Sequence, residues 1–339
     1  MVLRAFLLFF LSVIAVPATA NDPEVIGSSV VAEWQSWMAK HRVPAGSIIV
    51  THNGAVVAEG EIARSVDDPA KVASLSKAIT AVCALKAAEQ AGQTAQMPLS
   101  VAIPQALATH QPRDARFADI TIEQLITHAS GIDSDYHRIE LAKLRTLAEE
   151  NKLWQFSKIA DEALSGTPAW APYRYSNANY LVLGIVIEEL TGEAYEAYCQ
   201  REVLAPLGVT TARLNPEWRV MTAWGGWEIS ARDYLAFAEW YFSGENSPVR
   251  PAGYALSASD VGRGRGYSAG IIFRHTAAGT TAWHRGSWTG VRGRVDDRFG
   301  AYVVLYDNGY TVVTNYAHDA WDRDIGNELD SALYNATHP

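Results

Sequence analysis

The 339-residue sequence contains little cysteine, fewer basic than acidic residues and almost no long apolar run. Cys83 and Cys199 are its only cysteines, which excludes a small disulfide-stapled scaffold and leaves open whether the two are bridged. Cys83 lies in an apolar helical pattern, where packing in the core is the simpler interpretation. The 28 lysines and arginines against 37 aspartates and glutamates give a net charge of −9. This charge argues against nucleic acid and against an anionic membrane surface as partners.

The one long apolar run covers residues 5–16, at the start of the chain. It follows Arg4 and precedes Ala-Thr-Ala at residues 18–20, a pattern typical of a signal peptide. Residues 1–20 are therefore predicted to be a signal peptide cleaved near Ala20, which makes the mature protein periplasmic or secreted. Later segments fall short of the roughly 20 apolar residues that a membrane-spanning helix needs, so no span is expected in the mature chain.

Motifs for metals and cofactors are also missing. The histidines show no H-E-x-x-H or similar spacing, so no metal site is expected. The segment GRGRG at residues 262–266 has the glycines of a phosphate-binding loop but lacks a strand before it and a helix after it. The sequence therefore predicts no cofactor and a small-molecule or peptide substrate, and it leaves the oligomeric state open.

The order of predicted elements indicates an α+β fold. A first amphipathic helix is followed by two β-rich runs around HNG at residues 52–54, the strongest short hairpin signal, and by an alanine-rich helix over residues 74–90. Strands at both ends of the chain with helices between them predict one antiparallel sheet, flanked by N- and C-terminal helices, with a mostly helical domain inserted. The predicted sheet domain comprises residues 21–93 and 222–339, and the inserted helical domain comprises residues 94–221.

Ser74 and Lys77 lie three positions apart at the start of the alanine-rich helix. A serine hydroxyl attacks a carbonyl only when a base takes its proton and N–H groups await the developing oxyanion. The first turn of a helix supplies such N–H groups, and a residue at i+3 projects from the same face. Lysine among apolar neighbours loses its charge more readily, so Lys77 could act as the base. Taken alone, S-x-x-K is weak evidence, because it occurs by chance in many chains and is more often part of an ordinary helix surface.

Two further motifs follow in the chain. YSN at residues 175–177 lies between helical patterns, and HRG at residues 284–286 lies on a predicted strand. With S-x-x-K, Y-x-N and H-x-G in this order, the sequence resembles the penicillin-recognising serine hydrolases. That group includes class C β-lactamases, D-alanyl-D-alanine carboxypeptidases, D-aminopeptidases and β-lactamase-like esterases. The segments LITHASGI, YSNANYLVLGIVIEELTG and GGWEISARDYLAF are also similar to the family, and the resemblance runs from about residue 33 to residue 333. It implies a β-lactamase/transpeptidase-like fold.

The resemblance implies a role for each matching residue. Ser74 would be the nucleophile that accepts the acyl group, while Lys77 and Tyr175 would share its proton and deliver it to the leaving group. Such sharing requires that the site lower the pKa of both groups. The residues that would bind or orient the substrate are Asn177, His284, Gly286 and Ser287, the last through an N–H that forms the oxyanion hole with that of Ser74.

Other residues near these motifs have structural interpretations. His128, in THASG, is interpreted as a hydrogen-bonded turn residue rather than a catalyst. Six tryptophans are compatible with core filling or with an aromatic-walled substrate cleft. They are Trp154, Trp170, Trp224, Trp227, Trp283 and Trp288.

The histidine at position 284 bears on the substrate. Other members carry a permanent cation there, whereas His284 would be mostly neutral at pH 7, which weakens the β-lactamase interpretation. Arg285 is expected to point to the opposite face of the strand, and Arg292 or Arg294, on the next strand, could compensate if either reaches the cleft. If a charged His284 binds a substrate carboxylate, KM should rise between about pH 5.5 and about 7.5.

The sequence therefore predicts an exported serine hydrolase that acts through a Ser74 acyl-enzyme on a small ester or a D-amino-acid-containing amide or peptide. The alternative is a β-lactamase or a penicillin-sensitive D-alanyl-D-alanine carboxypeptidase, which applies the same chemistry to another leaving group. A remote alternative is a non-catalytic binding protein on the same fold, against which the intact motifs argue.

Overall fold

The computed structural model describes residues 21–132, 150–165, 172–216, 221–288, 298–317 and 323–339. The predicted signal peptide lies outside the described residues, as do Trp170, Arg292, Arg294 and the side chain of Trp154.

A large antiparallel sheet forms the centre of the described structure. Its strand order is β2-β1-β11-β10-β9-β8-β7-β6, so the first strands of the chain lie beside the last. Gly46 pairs with Tyr316 and His52 with Tyr310, which confirms the predicted sheet built from distant parts of the chain. Its strands are β1 (Gly46–His52), β2 (Ala55–Ile62), β6 (Ser259–Asp260), β7 (Gly266–Ser268), β8 (Ile271–His275), β9 (Thr280–Trp288), β10 (Phe299–Leu305) and β11 (Tyr310–Tyr316).

A smaller sheet joins the segment before Ser74 to the middle of the chain. Its order is β3-β5-β4, with β3 (Ala70–Lys71), β4 (Arg213–Leu214) and β5 (Trp227–Ile229). This sheet holds the chain in place two residues before the turn that carries Ser74.

Helices surround the large sheet. They are α1 (Pro23–Lys40), α2 (Ser76–Gln90), α3 (Leu99–Ala102), α4 (Pro104–Thr109), α5 (Ile122–Ile126), α6 (Glu150–Ala160), α7 (Asn177–Thr191), α8 (Tyr195–Cys199), α9 (Thr222–Gly225), α10 (Ala231–Phe242) and α11 (Arg323–Thr337). The described elements between residues 94 and 221 are helical apart from β4, and the proposed domain division stays a prediction.

The hairpin between β1 and β2 follows from its turn residues. Asn53 and Gly54 have φ values of 51° and 81°, and a two-residue hairpin turn with positive φ at both positions favours Asn-Gly. The predicted hairpin is confirmed.

Two apolar layers sandwich the sheet. One packs α2, α7 and α10 against one face and includes Val82, Leu183 and Phe237, all fully buried. The other packs α1 and α11 against the opposite face, with Trp34 and Leu333 buried. Ala73, Leu75 and Ala78, which flank Ser74 and Lys77, belong to the first layer, so the candidate site lies on the face that α2 covers.

Cys83 in α2 forms a disulfide with Cys199 in α8, with Cα atoms 5.5 Å apart. Both residues are also fully buried. The simpler interpretation of Cys83 as core packing alone is therefore wrong, because the pairing depends on how two helices far apart in sequence meet.

Candidate active site

Ser74 lies in a 3-10 turn, Ala73–Leu75, that leads directly into α2. The predicted helix thus begins two residues after the serine. Ala73 has a φ of 44°, in the left-handed region that favours glycine, and such strain persists only where the surroundings enforce it. Gly286 of β9 lies close to the same turn, because a Cβ there would be 2.0 Å from the carbonyl oxygen of Val72. Glycine therefore allows β9 to pack directly against the chain that carries Ser74.

Lys77 is completely buried beside Ser74. Its Nζ donates to Ser74 Oγ at 3.1 Å and to the Trp224 carbonyl oxygen at 2.8 Å. The same atom lies 5.0 Å from the ring centre of Tyr175 and 5.6 Å from that of Tyr180. No carboxylate among the described residues pairs with it, and burial lowers the pKa of Lys77 well below its usual range. An uncharged amine here can accept the proton of the Ser74 hydroxyl.

Tyr175 completes this group from the segment just before α7. Its side chain hydrogen-bonds to Ser74, and this bond opposes a larger effect of burial, which raises the pKa of Tyr175 above its usual range. The residue as a whole is 38% exposed, so it lies at the boundary between the buried site and solvent. The pKa values of Lys77 and Tyr175 thus move in opposite directions, so the condition given for their sharing of one proton, that the site lower both pKa values, is not met.

His284 faces the same group from β9. Its ring is nearly parallel to that of Tyr175, at a centroid distance of 6.3 Å, and only 4% of the residue is exposed. Burial, followed by the neighbouring basic groups Lys77 and Arg285, lowers the pKa of His284 to about 3. The imidazole is therefore neutral at physiological pH.

Arg285 points to the other face of the sheet. Its guanidinium donates to the Gly326 carbonyl oxygen in α11 and lies 5.7 Å from the ring centre of Tyr302. The expectation that this arginine faces away from Ser74 is confirmed.

Asn177 and Ser287 lie on the same elements as the residues above. Asn177 is the first residue of α7, directly after Ser176, whose hydroxyl caps the helix by accepting from the Ala178 N–H at 3.2 Å. Ser287 follows Gly286 on β9, and its side chain lies on the strand face opposite His284. The roles assigned to Asn177 and to the N–H of Ser287 stay predictions.

Of the four predicted tryptophans whose side chains are described, two are buried in the core and two are half-buried. Trp227 is fully buried, and Trp224 is 4% exposed with its ring 5.7 Å from Lys77 Nζ. Trp283 packs in the layer on the opposite face of the sheet, whereas half-buried Trp288 packs against the layer that contains the site. Tyrosines supply more of the aromatic surface around Lys77 than tryptophans do.

The sequence did not reveal several groups that contact Lys77 or Tyr175. The Trp224 carbonyl is a backbone atom, which no residue pattern identifies. Tyr180 lies in the family-like segment YSNANYLVLG but was given no role, and Tyr267 lies in no motif. His128 is confirmed as a hydrogen-bonded turn residue, with a φ of 58° and 1% exposure, and its ring lies 4.5 Å from that of Tyr175.

Within the described ranges, no three His, Cys, Asp or Glu side chains are grouped so that they could hold a metal ion. No helix of the same residues is both long and apolar enough to cross a membrane.

Comparison with known proteins gives a consistent result. A family model described as Beta-lactamase matches residues 34–333. Protein flp of Staphylococcus aureus (strain COL) is 28% identical over 183 residues, which cover 51% of this chain and 35% of that protein. The match thus spans about a third of the length of that relative.

Two solved structures superpose on most of the chain. SurE with D-Leu gives a TM-score of 0.71 at 18% identity and covers 92% of this chain and 75% of that one. A D-stereospecific amidohydrolase from Streptomyces sp. gives a TM-score of 0.68 at 17% identity and covers 91% of this chain and 98% of that one. At these identities the likeness shows the fold, and the predicted α+β architecture is confirmed.

Proposed function

Since this chain belongs to the Beta-lactamase family of serine hydrolases, we propose that it hydrolyses a small ester or a D-amino-acid-containing amide or peptide. The reaction proceeds through an acyl-enzyme on Ser74. The observation that carries this proposal is the contact of 3.1 Å between Ser74 Oγ and the Nζ of a fully buried lysine. A hydroxyl needs a base within hydrogen-bond distance, and an amine acts as that base only when it is uncharged.

The pKa of Lys77 is lowered and that of Tyr175 is raised, which makes Lys77 the base and Tyr175 the acid in the proton transfers. Lys77, the uncharged amine, takes the proton of Ser74 as Oγ attacks the carbonyl carbon. Tyr175, a protonated phenol hydrogen-bonded to Ser74, gives its proton to the leaving oxygen or nitrogen and regains one from Lys77. Water then attacks the acyl-enzyme by the same transfers in reverse, which frees the acid and restores Ser74.

The neutral His284 favours a substrate whose group next to this residue is uncharged. A neutral imidazole can form a hydrogen bond to an ester or amide group but supplies no charge for a carboxylate. The names of SurE with D-Leu and of the D-stereospecific amidohydrolase, both similar in structure to this chain, concern D-amino acids. These names support an amide or peptide of that class as one of the two substrate types.

Export to the periplasm or medium is part of the proposal. The signal-like residues 1–20 motivate it, and the Cys83–Cys199 disulfide supports it, because such bridges persist mainly in oxidising compartments. A β-lactamase or penicillin-sensitive carboxypeptidase remains the second candidate, favoured by the family to which the chain belongs.

The test uses the mature protein, a p-nitrophenyl ester, a D-amino-acid anilide and benzylpenicillin. We expect turnover of the ester or the anilide, and Ser74→Ala should lower kcat by roughly 10⁴-fold or more. Intact mass after a short pulse of substrate should show one acyl group on the wild type and none on Ser74→Ala. Ser36→Ala, which changes an exposed serine of α1, serves as the matched control and should retain the adduct.

Each other outcome has a definite meaning. Rapid loss of benzylpenicillin with little ester or anilide turnover would favour the second candidate. Activity that survives Ser74→Ala would remove the proposed nucleophile.

A further inference from the structure

We propose that His128 and Tyr267 are positioning residues that hold Tyr175 over Ser74 and Lys77. This inference rests on the proposed function, because it gives Tyr175 its place in that reaction. Neither residue touches Ser74, and both act through the segment that carries the phenol.

His128 bonds to the backbone on both sides of Tyr175. Its carbonyl oxygen accepts from the Arg174 N–H at 2.9 Å, and its Nδ1 faces the Ser176 N–H at 3.3 Å. The rings of His128 and Tyr175 lie in contact, 4.5 Å between centroids. Two backbone bonds and one ring contact from a single residue therefore fix the position of Tyr175.

The hydrogen bonds also define the form of the imidazole. A backbone N–H can only donate, so Nδ1, which faces that of Ser176, must be the acceptor nitrogen. The Asn179 amide also reaches this nitrogen, at 2.9 Å. The proton of the neutral ring is then on Nε2, which donates to Tyr267 Oη at 3.2 Å. Protonation of Nδ1 would make it a donor facing two other donors, the Ser176 N–H and the Asn179 amide, and would break the hydrogen bond with Ser176.

Tyr267 continues this chain into the sheet. It is fully buried on β7 and hydrogen-bonds to Tyr180, whose hydroxyl donates to the Ile126 carbonyl oxygen at 2.9 Å. The chain of bonds thus links the start of α7, the turn after α5 and strand β7. These three elements hold the segment before α7 in place. Removal of the His128 or the Tyr267 side chain should therefore let Tyr175 move.

The test compares two variants with a matched control. Tyr267→Phe removes one hydroxyl, and His128→Asn retains an oxygen acceptor on a residue type that tolerates positive φ. Tyr195→Phe is the control, because Tyr195 is equally buried and its hydroxyl contacts Thr80 Oγ1 and Trp227 Nε1, away from Tyr175.

We expect both test variants to lower kcat by roughly 10- to 100-fold with KM within about twofold, as small displacements of catalytic groups do. The acidic limb of the pH–rate profile should move to higher pH, because water admitted around Lys77 raises the pKa of its amine toward the usual range. The described groups that face Lys77 and influence this limb are Tyr175, Tyr180, His128 and His284. The control should lose thermal stability but keep both kcat and the limb.

Labelling of Ser74 by a fluorophosphonate separates the two proposals. If the wild type is not labelled at Ser74, the proposed function fails. If it is labelled, but Tyr267→Phe and His128→Asn react at the wild-type rate per folded molecule and keep the pH profile, the positioning role is overturned. Folding is checked by near-UV circular dichroism, and the single-hydroxyl variant remains informative if the histidine variant unfolds.

Discussion

At the scale of single residues, burial keeps the titratable side chains described around Ser74 uncharged. It lowers the pKa of Lys77, His128 and His284 and raises that of Tyr175. Protons can therefore move among Ser74, Lys77 and Tyr175 without a fixed charge beside them. The two histidines bind fewer protons in the folded protein than in the unfolded chain below about pH 6.5, so their contribution makes stability fall as pH decreases from there. For His284 this window extends down to about pH 3.

The neutral form of His284 leads to a prediction about substrate binding. For a substrate with a free carboxylate, KM should stay within about twofold between pH 5.5 and 7.5, because a pKa of about 3 leaves the imidazole uncharged throughout. His284→Lys should lower that KM by roughly tenfold, the effect of one charge-assisted hydrogen bond. Steady-state kinetics with the acid and its methyl ester measure both effects.

The methyl ester is the control, because it lacks the charge and should be bound equally by both proteins. In the wild type, a KM that rises with pH for the acid but not for the ester would contradict this prediction. It would mean that His284 becomes protonated when the carboxylate binds, although burial keeps it neutral in the free enzyme.

The sequence predicted the residues of this site that carry side-chain motifs. Ser74, Lys77, Tyr175 and His284 lie together as the order of the motifs implied. It did not predict the Trp224 carbonyl, because any residue type carries that atom. The effect of the site on the pKa of Tyr175 was also missed, since burial by long-range contacts outweighs the hydrogen bond with Ser74.

At the scale of elements, the distance between β9 and the 3-10 turn determines the site. Gly286 lies opposite Val72, and the strand places His284 on the same face two residues earlier. Glycine is therefore needed at this position of H-x-G because a side chain would collide with the Val72 carbonyl oxygen, and not because the backbone has a positive φ.

Gly286→Ala should slow acylation of Ser74 strongly. A Cβ 2.0 Å from the Val72 oxygen meets backbone rather than a flexible side chain, so β9 or the Ser74 turn must move by about 1 Å. Such a displacement lowers rates by roughly 100-fold. The rate of fluorophosphonate labelling per folded molecule measures the effect.

The matched control is Gly300→Ala on the neighbouring strand. Its Cβ would meet the Tyr316 ring, 2.1 Å away, on the face of the sheet opposite Gly286. We expect lower stability with an unchanged labelling rate. Equal labelling by Gly286→Ala and the wild type would show that the strand does not set the position of Ser74.

Elements with strong turn chemistry were predicted well, and those shaped by tertiary contacts were not. The Asn53-Gly54 hairpin was predicted, whereas the turn between β7 and β8 was not. Ala269 and Gly270 form the turn between them with positive φ values, and a Cβ on Gly270 would lie 2.4 Å from the Ala78 nitrogen of α2. This turn forms because Gly270 packs closely against α2, which is distant in sequence. A local sequence pattern cannot reveal such a contact.

At the scale of the whole molecule, the fold is held by contacts between distant parts of the chain. β1 pairs with β11, so the sheet is incomplete until both ends of the chain are present. The disulfide adds a covalent link of the same kind, since Cys83 and Cys199 are 116 residues apart. It joins α2, which carries Lys77, to the helices that follow Tyr175.

Removal of this bridge should destabilise the protein without changing its chemistry. A loop of this length restricts the unfolded chain, so Cys83→Ala with Cys199→Ala should lower the free energy of unfolding by about 2–4 kcal/mol. Cys83 lies six residues after Lys77, roughly 9 Å along the helix, so kcat at 25 °C should stay within about twofold. Denaturant unfolding and steady-state kinetics check these expectations. Wild-type protein refolded and kept in an excess of reductant, with both thiols free, is the control that retains both sulfur atoms. A fall in kcat well beyond twofold, together with the loss of stability, would show instead that the bridge holds α2 in its active position.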